Sequence, residues 1–185
     1  MKKNPWKVKS SRTIYQKPWI KFTEDEVVRP DGKDGTHIAI KIVEGVTVLP
    51  VDNKGNVYLI EEFKYAISKW SLEAISGAIE PGEDKLQAAK RDLKEEIGAE
   101  AGEWIYIGMI DPFTSVLTSP GYMYIAKDLK FKKYNREGTE TMKIVKMPLK
   151  EAIEAIGRDI NHAASYVLLL KASDYLKKIK SSDVV

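Results

Sequence analysis

After Pro81-Gly82 the apolar residues of this chain leave strand spacing, keep helical spacing as far as Gly98, and return to strand spacing at Trp104. A single amphipathic helix set among strands has to bury its stripe against a sheet, which excludes a bundle and a pure β-sandwich. Residues 46–51 and 57–63 flank Asp52-Asn53-Lys54-Gly55, a hairpin loop, and 71–75 form a short apolar segment leading to Gly77. Strand character recurs over 104–110, 121–126 and 142–147, and two helical stretches follow, at 149–156 and about 162–179. Ahead of all this, 6–15 and 19–29 carry β-branched or alternating character. Pro30-Asp31-Gly32-Lys33-Asp34-Gly35 turns the chain back into 37–43. The expected class is α+β, with sheet layers enclosed by helices. Residues 1–43 form an antiparallel strand element and 44–185 the main domain.

Composition narrows the chemistry. A chain of 185 residues, 43% hydrophobic, is long enough for a true core and too apolar for disorder. It has no cysteine, which removes disulfides, thiolate nucleophiles, iron–sulfur clusters and cysteine-based zinc sites together. Two histidines, His37 and His162, leave no histidine-built metal site. The net charge of +3 is spread along the chain, and the basic run 127–133 is interrupted by Leu129 and Phe131, as in a solvated strand edge. No nucleic-acid partner is expected. The longest apolar run, 166–170, is far short of a membrane span, and the basic, polar N-terminus lacks a signal-peptide core. A cytoplasmic protein with no membrane partner is expected.

The chemistry concentrates in one helix. On a wheel of about 100° per residue, Leu86, Ala89, Leu93 and Ile97 form the buried stripe, while Asp92, Glu95 and Glu96 share another arc of about 100° facing away from it. Ala88 lies beneath that arc and is small enough to leave a hollow. Three acids so placed repel each other by a few tenths of a kcal/mol per pair unless a cation neutralises them, and oxygen-only ligands suit Mg²⁺ or Mn²⁺. Arg91 precedes Glu95 by four residues and can pair with it, and Gly98 is placed to end the helix. A lone Glu-Glu pair is usually just the wet face of a helix. The joint pattern is not so easily dismissed. The identities Gly77, Glu83, Arg91, Glu95, Glu96 and Gly98, each about 6–7% by usage, arise together by chance on the order of once in 10⁵–10⁶ chains of this length.

The stretch from Gly77 to Ala99 resembles the Nudix box, G-x5-E-x7-R-E-U-x-E-E-x-G-U with U apolar. Asp92 stands where the family has Glu, a shorter carboxylate at a metal-ligand position, and Ala99 is a minimal apolar residue at the last one. Outside the box, Val48-Leu49-Pro50-Val51-Asp52 and Leu59-Ile60-Glu61-Glu62-Phe63-Lys64 resemble a hairpin of the ADP-ribose and nucleotide-sugar pyrophosphatase branch, with Lys64 for its usual Arg. Trp70-Ser71-Leu72-Glu73-Ala74-Ile75-Ser76-Gly77 resembles that branch's E-x-P-A-G motif, retaining Glu73. Pro120-Gly121 is displaced from the place, near Asp111-Pro112, where the branch has its Pro-Gly loop.

The resemblance implies the Nudix α/β/α sandwich of mixed sheets. It also implies hydrolysis of ADP-ribose or a nucleoside diphosphate sugar with Mg²⁺ or Mn²⁺, giving a nucleoside monophosphate and a sugar phosphate. The metal ligands implied are the Ser76 carbonyl, Asp92, Glu95, Glu96 and, from an acidic loop, Glu140 with Glu137 second. The acid and base roles are left open between Glu95 and Glu140, with Arg91 as support. Lys64 and Glu73 are substrate-side candidates, Trp70 and Trp19 candidates to stack on a base, and His162 a surface or capping residue. The N-terminal strands, with Trp6, Ile14, Tyr15, Trp19 and Ile20, are expected to build a homodimer. The alternatives are a nucleotide-sugar sensor without turnover, or a hydrolase of dinucleoside polyphosphates or nucleoside triphosphates.

Overall fold

The computed structural model describes residues 3–132 and 142–182. In chain order they form β1 (Lys7–Lys17), β2 (Ile20–Val28), β3 (Asp34–Ile42), β4 (Gly45–Pro50), β5 (Asn56–Lys64), a 3₁₀ turn (Tyr65–Ile67), β6 (Lys69–Glu73), β7 (Ile75–Ala78) and α1 (Lys85–Ile97). These are followed by β8 (Ala99–Ile110), β9 (Leu117–Thr118), β10 (Gly121–Phe131), β11 (Lys143–Pro148), α2 (Leu149–Glu154) and α3 (Ala163–Ser182). Among them no helix is long and apolar enough to cross a membrane.

Two compact units result, Met1–Glu44 with Asp111–Pro120, and Gly45–Ile110 with Gly121–Val185. The larger one holds a four-stranded sheet ordered β7-β4-β10-β8 and a three-stranded sheet ordered β11-β5-β6. The β4–β10 pair is parallel and the other pairs of both sheets are antiparallel, so the four-stranded sheet is mixed. Its strands are apolar on both faces because both faces are covered. Val46, Val48, Tyr58, Ile60 and Tyr124 pack with Ala88, Ala89, Leu93 and Ile97 of α1. Their strand neighbours Leu49, Leu59, Met123 and Ile125 pack with Ala152 of α2 and Leu168, Leu169 and Ala172 of α3. The period of two in the strands thus assigns alternate side chains to two cores, each buried Leu or Ile adding roughly 1.5–3 kcal/mol. This is the expected α/β/α sandwich.

The smaller unit is a sheet ordered β1-β2-β3-β9. Its β1–β2 and β2–β3 pairs are antiparallel. It also takes in residues 111–120, which the sequence reading left in the main domain, because Leu117 and Thr118 run parallel to Ile40 and Lys41 and Ile40 N–H donates to the Val116 carbonyl. β1 lies at the sheet edge and every one of its residues is exposed.

Candidate active site

α1 begins and ends where its side chains and backbone can satisfy the terminal peptide groups. The Asp84 carboxylate accepts from the N–H groups of Leu86 and Gln87 at 2.9 and 3.2 Å. At the other end Gly98 takes a left-handed conformation (φ 65°) and donates to the Lys94 carbonyl. The helix packs on β7 so closely that a Cβ at Gly77 would stand 2.6 Å from Cγ of Asp92. Only glycine fits there.

Arg91 ties this junction together. Its Nε and Nη2 donate to Oε1 and Oε2 of Glu83 at 3.0 and 2.9 Å, a bidentate fork, and Nη2 also donates to the Ala78 carbonyl at 2.8 Å. Nη1 reaches Asp92 Oδ1 at 2.5 Å, but Glu95 only at 3.4 Å. The sequence pairing of Arg91 with Glu95 is therefore secondary. The loop after β7 brings Glu83 to the guanidinium, and Glu83 Oε2 accepts the Glu80 N–H as well. Hydrogen bonds from Arg91 and that N–H hold the Glu83 carboxyl below its usual range.

The three acids of α1 occupy different environments. Asp92 is buried, not turned away from the core as the wheel suggested, because α1 has a second neighbour, β7, on that side. Burial raises its pKa to about 6 against the Arg91 charge, with Glu95 and Glu83 adding to the rise. Ala88 is fully buried in the core and leaves no hollow. Glu96 is half-buried, and its pKa rises to about 8 through burial and the Asp92 charge, opposed by Lys64 and by a hydrogen bond from the Ser76 N–H. Glu95 is largely open to solvent.

These residues suit a small hard cation. Asp92 Oδ2 is buried and unpartnered, the Asp92 charge raises the proton affinity of Glu96, and both side chains offer oxygens. Among the described residues no three carboxylate or imidazole groups converge as a ready metal cluster. A full shell would therefore draw on the Ser76 carbonyl and on donors beyond them. Glu137 and Glu140 lie outside the described residues.

A second polar group sits at the β5–β6 hairpin. Lys64 Nζ is 2.6 Å from Glu62 and 3.5 Å from Glu73. Burial alone would lower the Lys64 pKa, yet the hydrogen bond to Glu62 and the Glu73 charge raise it. His162 Nδ1 lies 3.5 Å from Glu73 and 2.9 Å from Ser165 Oγ, so this residue, at the start of α3, is half-buried in the group. Trp70 packs edge-on to Phe63 (ring centroids 5.9 Å apart) and is 58% exposed, as a stacking platform needs and a core residue is not. Trp19, 57% exposed, belongs to the other unit. Two surface hollows, one along Glu83, Arg91, Glu95 and Trp104 and one along Trp70, Ser71, Glu151 and Arg158, are lined by neither Asp92 nor Glu96. Sequence reading missed Glu83 as the anchor of Arg91, and missed Ser165 altogether. The box spacing carries the first signal, and no local signal carries the second.

Residues 41–167, more than half of the chain, match the family described as NUDIX domain, and residues 6–37 match one described as nucleoside diphosphate sugar hydrolase N-terminal domain. A methanol dehydrogenase activator of Bacillus methanolicus is 29% identical over 148 residues, 74% of this chain and 75% of that protein. An ADP-ribose pyrophosphatase of Bacillus subtilis is 24% identical over 164 residues, 84% of this chain and 85% of the other. A crystal structure of an ADP compounds hydrolase superposes with a TM-score of 0.83 at 20% identity, over 96% of this chain and 97% of that one, a likeness of fold.

Proposed function

The chain belongs to the NUDIX family, and from that premise we propose that it hydrolyses the diphosphate bond of ADP-ribose or of nucleoside diphosphate sugars. The products are a nucleoside monophosphate and a sugar phosphate. The observation that carries the substrate class is the N-terminal match to nucleoside diphosphate sugar hydrolases, which the NUDIX domain alone does not supply.

The proposed cation is Mg²⁺ or Mn²⁺, held by Asp92, Glu95, Glu96 and the Ser76 carbonyl, with Glu140 as a further ligand. When bound, such an ion lowers the pKa of water and offsets charge developing on the diphosphate. Arg91 keeps α1 and the loop at Glu83 in one place, so that the carboxylates keep their spacing when a charged substrate arrives. Glu95, the most exposed of the three acids, takes the proton from the attacking water, with Glu140 the rival for this role. Lys64 offers a point charge to a phosphate oxygen, and Glu73 holds the lysine in position. Trp70 offers its exposed face to the base.

We also propose a homodimer. An eleven-residue edge strand with Val8, Ile14 and Tyr15 exposed is a template for a second copy rather than a monomer surface. A single 21 kDa species in size-exclusion chromatography at micromolar concentration would refute it. A cytoplasmic location belongs to the same proposal.

The test of function is a panel of ADP-ribose, nucleotide sugars, dinucleoside polyphosphates and nucleoside triphosphates with Mg²⁺ or Mn²⁺, products identified by mass. AMP and ribose phosphate from ADP-ribose, abolished by EDTA, is the expected result. Cleavage of triphosphates alone rejects the substrate class. Tight binding of a nucleotide sugar without products supports the sensor alternative, which the short Asp92 at a Glu position motivates.

A further inference from the structure

The chain changes sheets at a single residue. β6 pairs with β5 as far as Glu73, and β7 pairs with β4 from Ile75 onward, so the peptide groups of Ala74 belong to neither ladder. Ala74 is buried, and a buried peptide group without a partner costs about 1–3 kcal/mol. Both its groups are met by hydroxyls. Its N–H donates to Ser165 Oγ at 2.8 Å, and its carbonyl accepts from Ser76 Oγ at 2.9 Å. Ser165 stands in the first turn of α3 and is fully buried. The same Ser165 Oγ lies 2.9 Å from Nδ1 of His162, which ties the imidazole to the crossing.

Residues of the proposed site flank this crossing on both sides. One residue before Ala74 is Glu73, facing both Lys64 and His162 at 3.5 Å. Two residues after it is Ser76, whose N–H donates to Glu96 and whose carbonyl is the proposed ligand. With neighbouring Cα atoms about 3.8 Å apart, a rotation at Ala74 displaces both flanks at once. A shift of about 1 Å in a positioned group can lower a rate 10²-fold.

We propose that Ser165 and His162 are positioning residues for the hydrolytic site, holding the Glu73–Gly77 crossing so that the Ser76 carbonyl, Glu96 and the Glu73–Lys64 pair keep their places. The inference rests on the site reading given above. It assigns α3 a part in turnover although α3 contributes no ligand.

Ser165→Ala and His162→Ala in the full chain test it by two readouts. The first is steady-state hydrolysis of ADP-ribose with Mg²⁺. Ser165→Ala is expected to lower kcat about tenfold and His162→Ala about threefold, with KM within twofold of the parent. The second is amide hydrogen exchange of the cation-free protein. The N–H groups of Ala74 and Ser76 are expected to exchange at least tenfold faster in Ser165→Ala, with Leu93 in α1 unchanged. A kcat within twofold of the parent in both variants overturns the proposal, even if the melting temperature falls. If Ser165→Ala does not fold, His162→Ala decides by the same twofold criterion. A parent inactive on ADP-ribose and on every nucleotide sugar of the panel rejects the proposed function instead, and the positioning role is then rejected by unchanged exchange at Ser76.

Discussion

In the N-terminal unit, charged side chains pair across the strands in full view of solvent. Lys9 meets Asp34 at 2.5 Å and Arg12 meets Glu24 at 2.6 Å, with the Arg12 side chain 75% exposed. Around α1 the same chemistry is sunk into the fold. Arg91 holds two carboxylates and a carbonyl at once, and Asp92 is almost wholly covered. Exposed pairs contribute about 0–1 kcal/mol each, whereas removing one partner of a buried group strands the other without solvent. The first region therefore owes little of its order to its ion pairs, and its exposed apolar edge calls for a cover. The second is over-determined, so that one change propagates through the whole junction.

Substitutions sharpen this contrast. Gly77→Ala has the largest expected effect, because its Cβ overlaps the carboxylate of Asp92, a short, buried side chain. A loss of about 3 kcal/mol by urea denaturation is expected, with turnover falling below one-hundredth of the parent rate. Arg91→Ala comes next, at about 2 kcal/mol after allowance for its partial exposure, since Glu83 and Asp92 lose their counter-charge. Arg91→Lys should recover only part of it, lacking the fork.

A third expectation concerns acid. Burial would raise the Asp52 pKa, but hydrogen bonds from the Asn56 side chain, Lys146 and the N–H groups of Asn56 and Lys54 outweigh it and hold the carboxyl well below the usual range. A folded-state pKa below the unfolded value stabilises the fold above about pH 4, and the contribution is lost as pH falls toward the folded pKa. The gap in melting temperature between the parent and Asp52→Asn should be widest above pH 4 and close on acidification. A gap that widened in acid would reverse the sign. The smallest effect belongs to Arg12→Ala, within about 0.5 kcal/mol, and a larger loss would mean that the N-terminal sheet is held by its charges after all.

The same contrast explains what could be read in the sequence. Strands β4, β5 and β10 and helix α1 were legible because burial writes a period of two or 3.6 into the residues. β9 was not, since two residues carry no period, and nothing local in residues 111–120 announces their pairing with β3. Asp92 looked solvent-facing because a wheel shows one buried stripe and cannot show that β7 covers a second arc. The box spacing marked Arg91 and Glu83 together, yet the four-residue rule for helices pointed Arg91 to Glu95, because the partner eight residues back is supplied by a loop. Ser165 and Ala74 are 91 residues apart, and no local pattern connects them.

At the centre stands Glu96, half-buried on α1, hydrogen-bonded by Ser76 and raised in pKa by burial and by Asp92. The decisive measurement is kcat of Glu96→Gln for ADP-ribose hydrolysis with Mg²⁺, alongside its melting temperature. A fall of at least 100-fold with melting unchanged is expected, since the amide keeps an acceptor for the Ser76 N–H while abolishing an anionic ligand. Turnover equal to that of the parent contradicts the assignment of this helix face to the reaction.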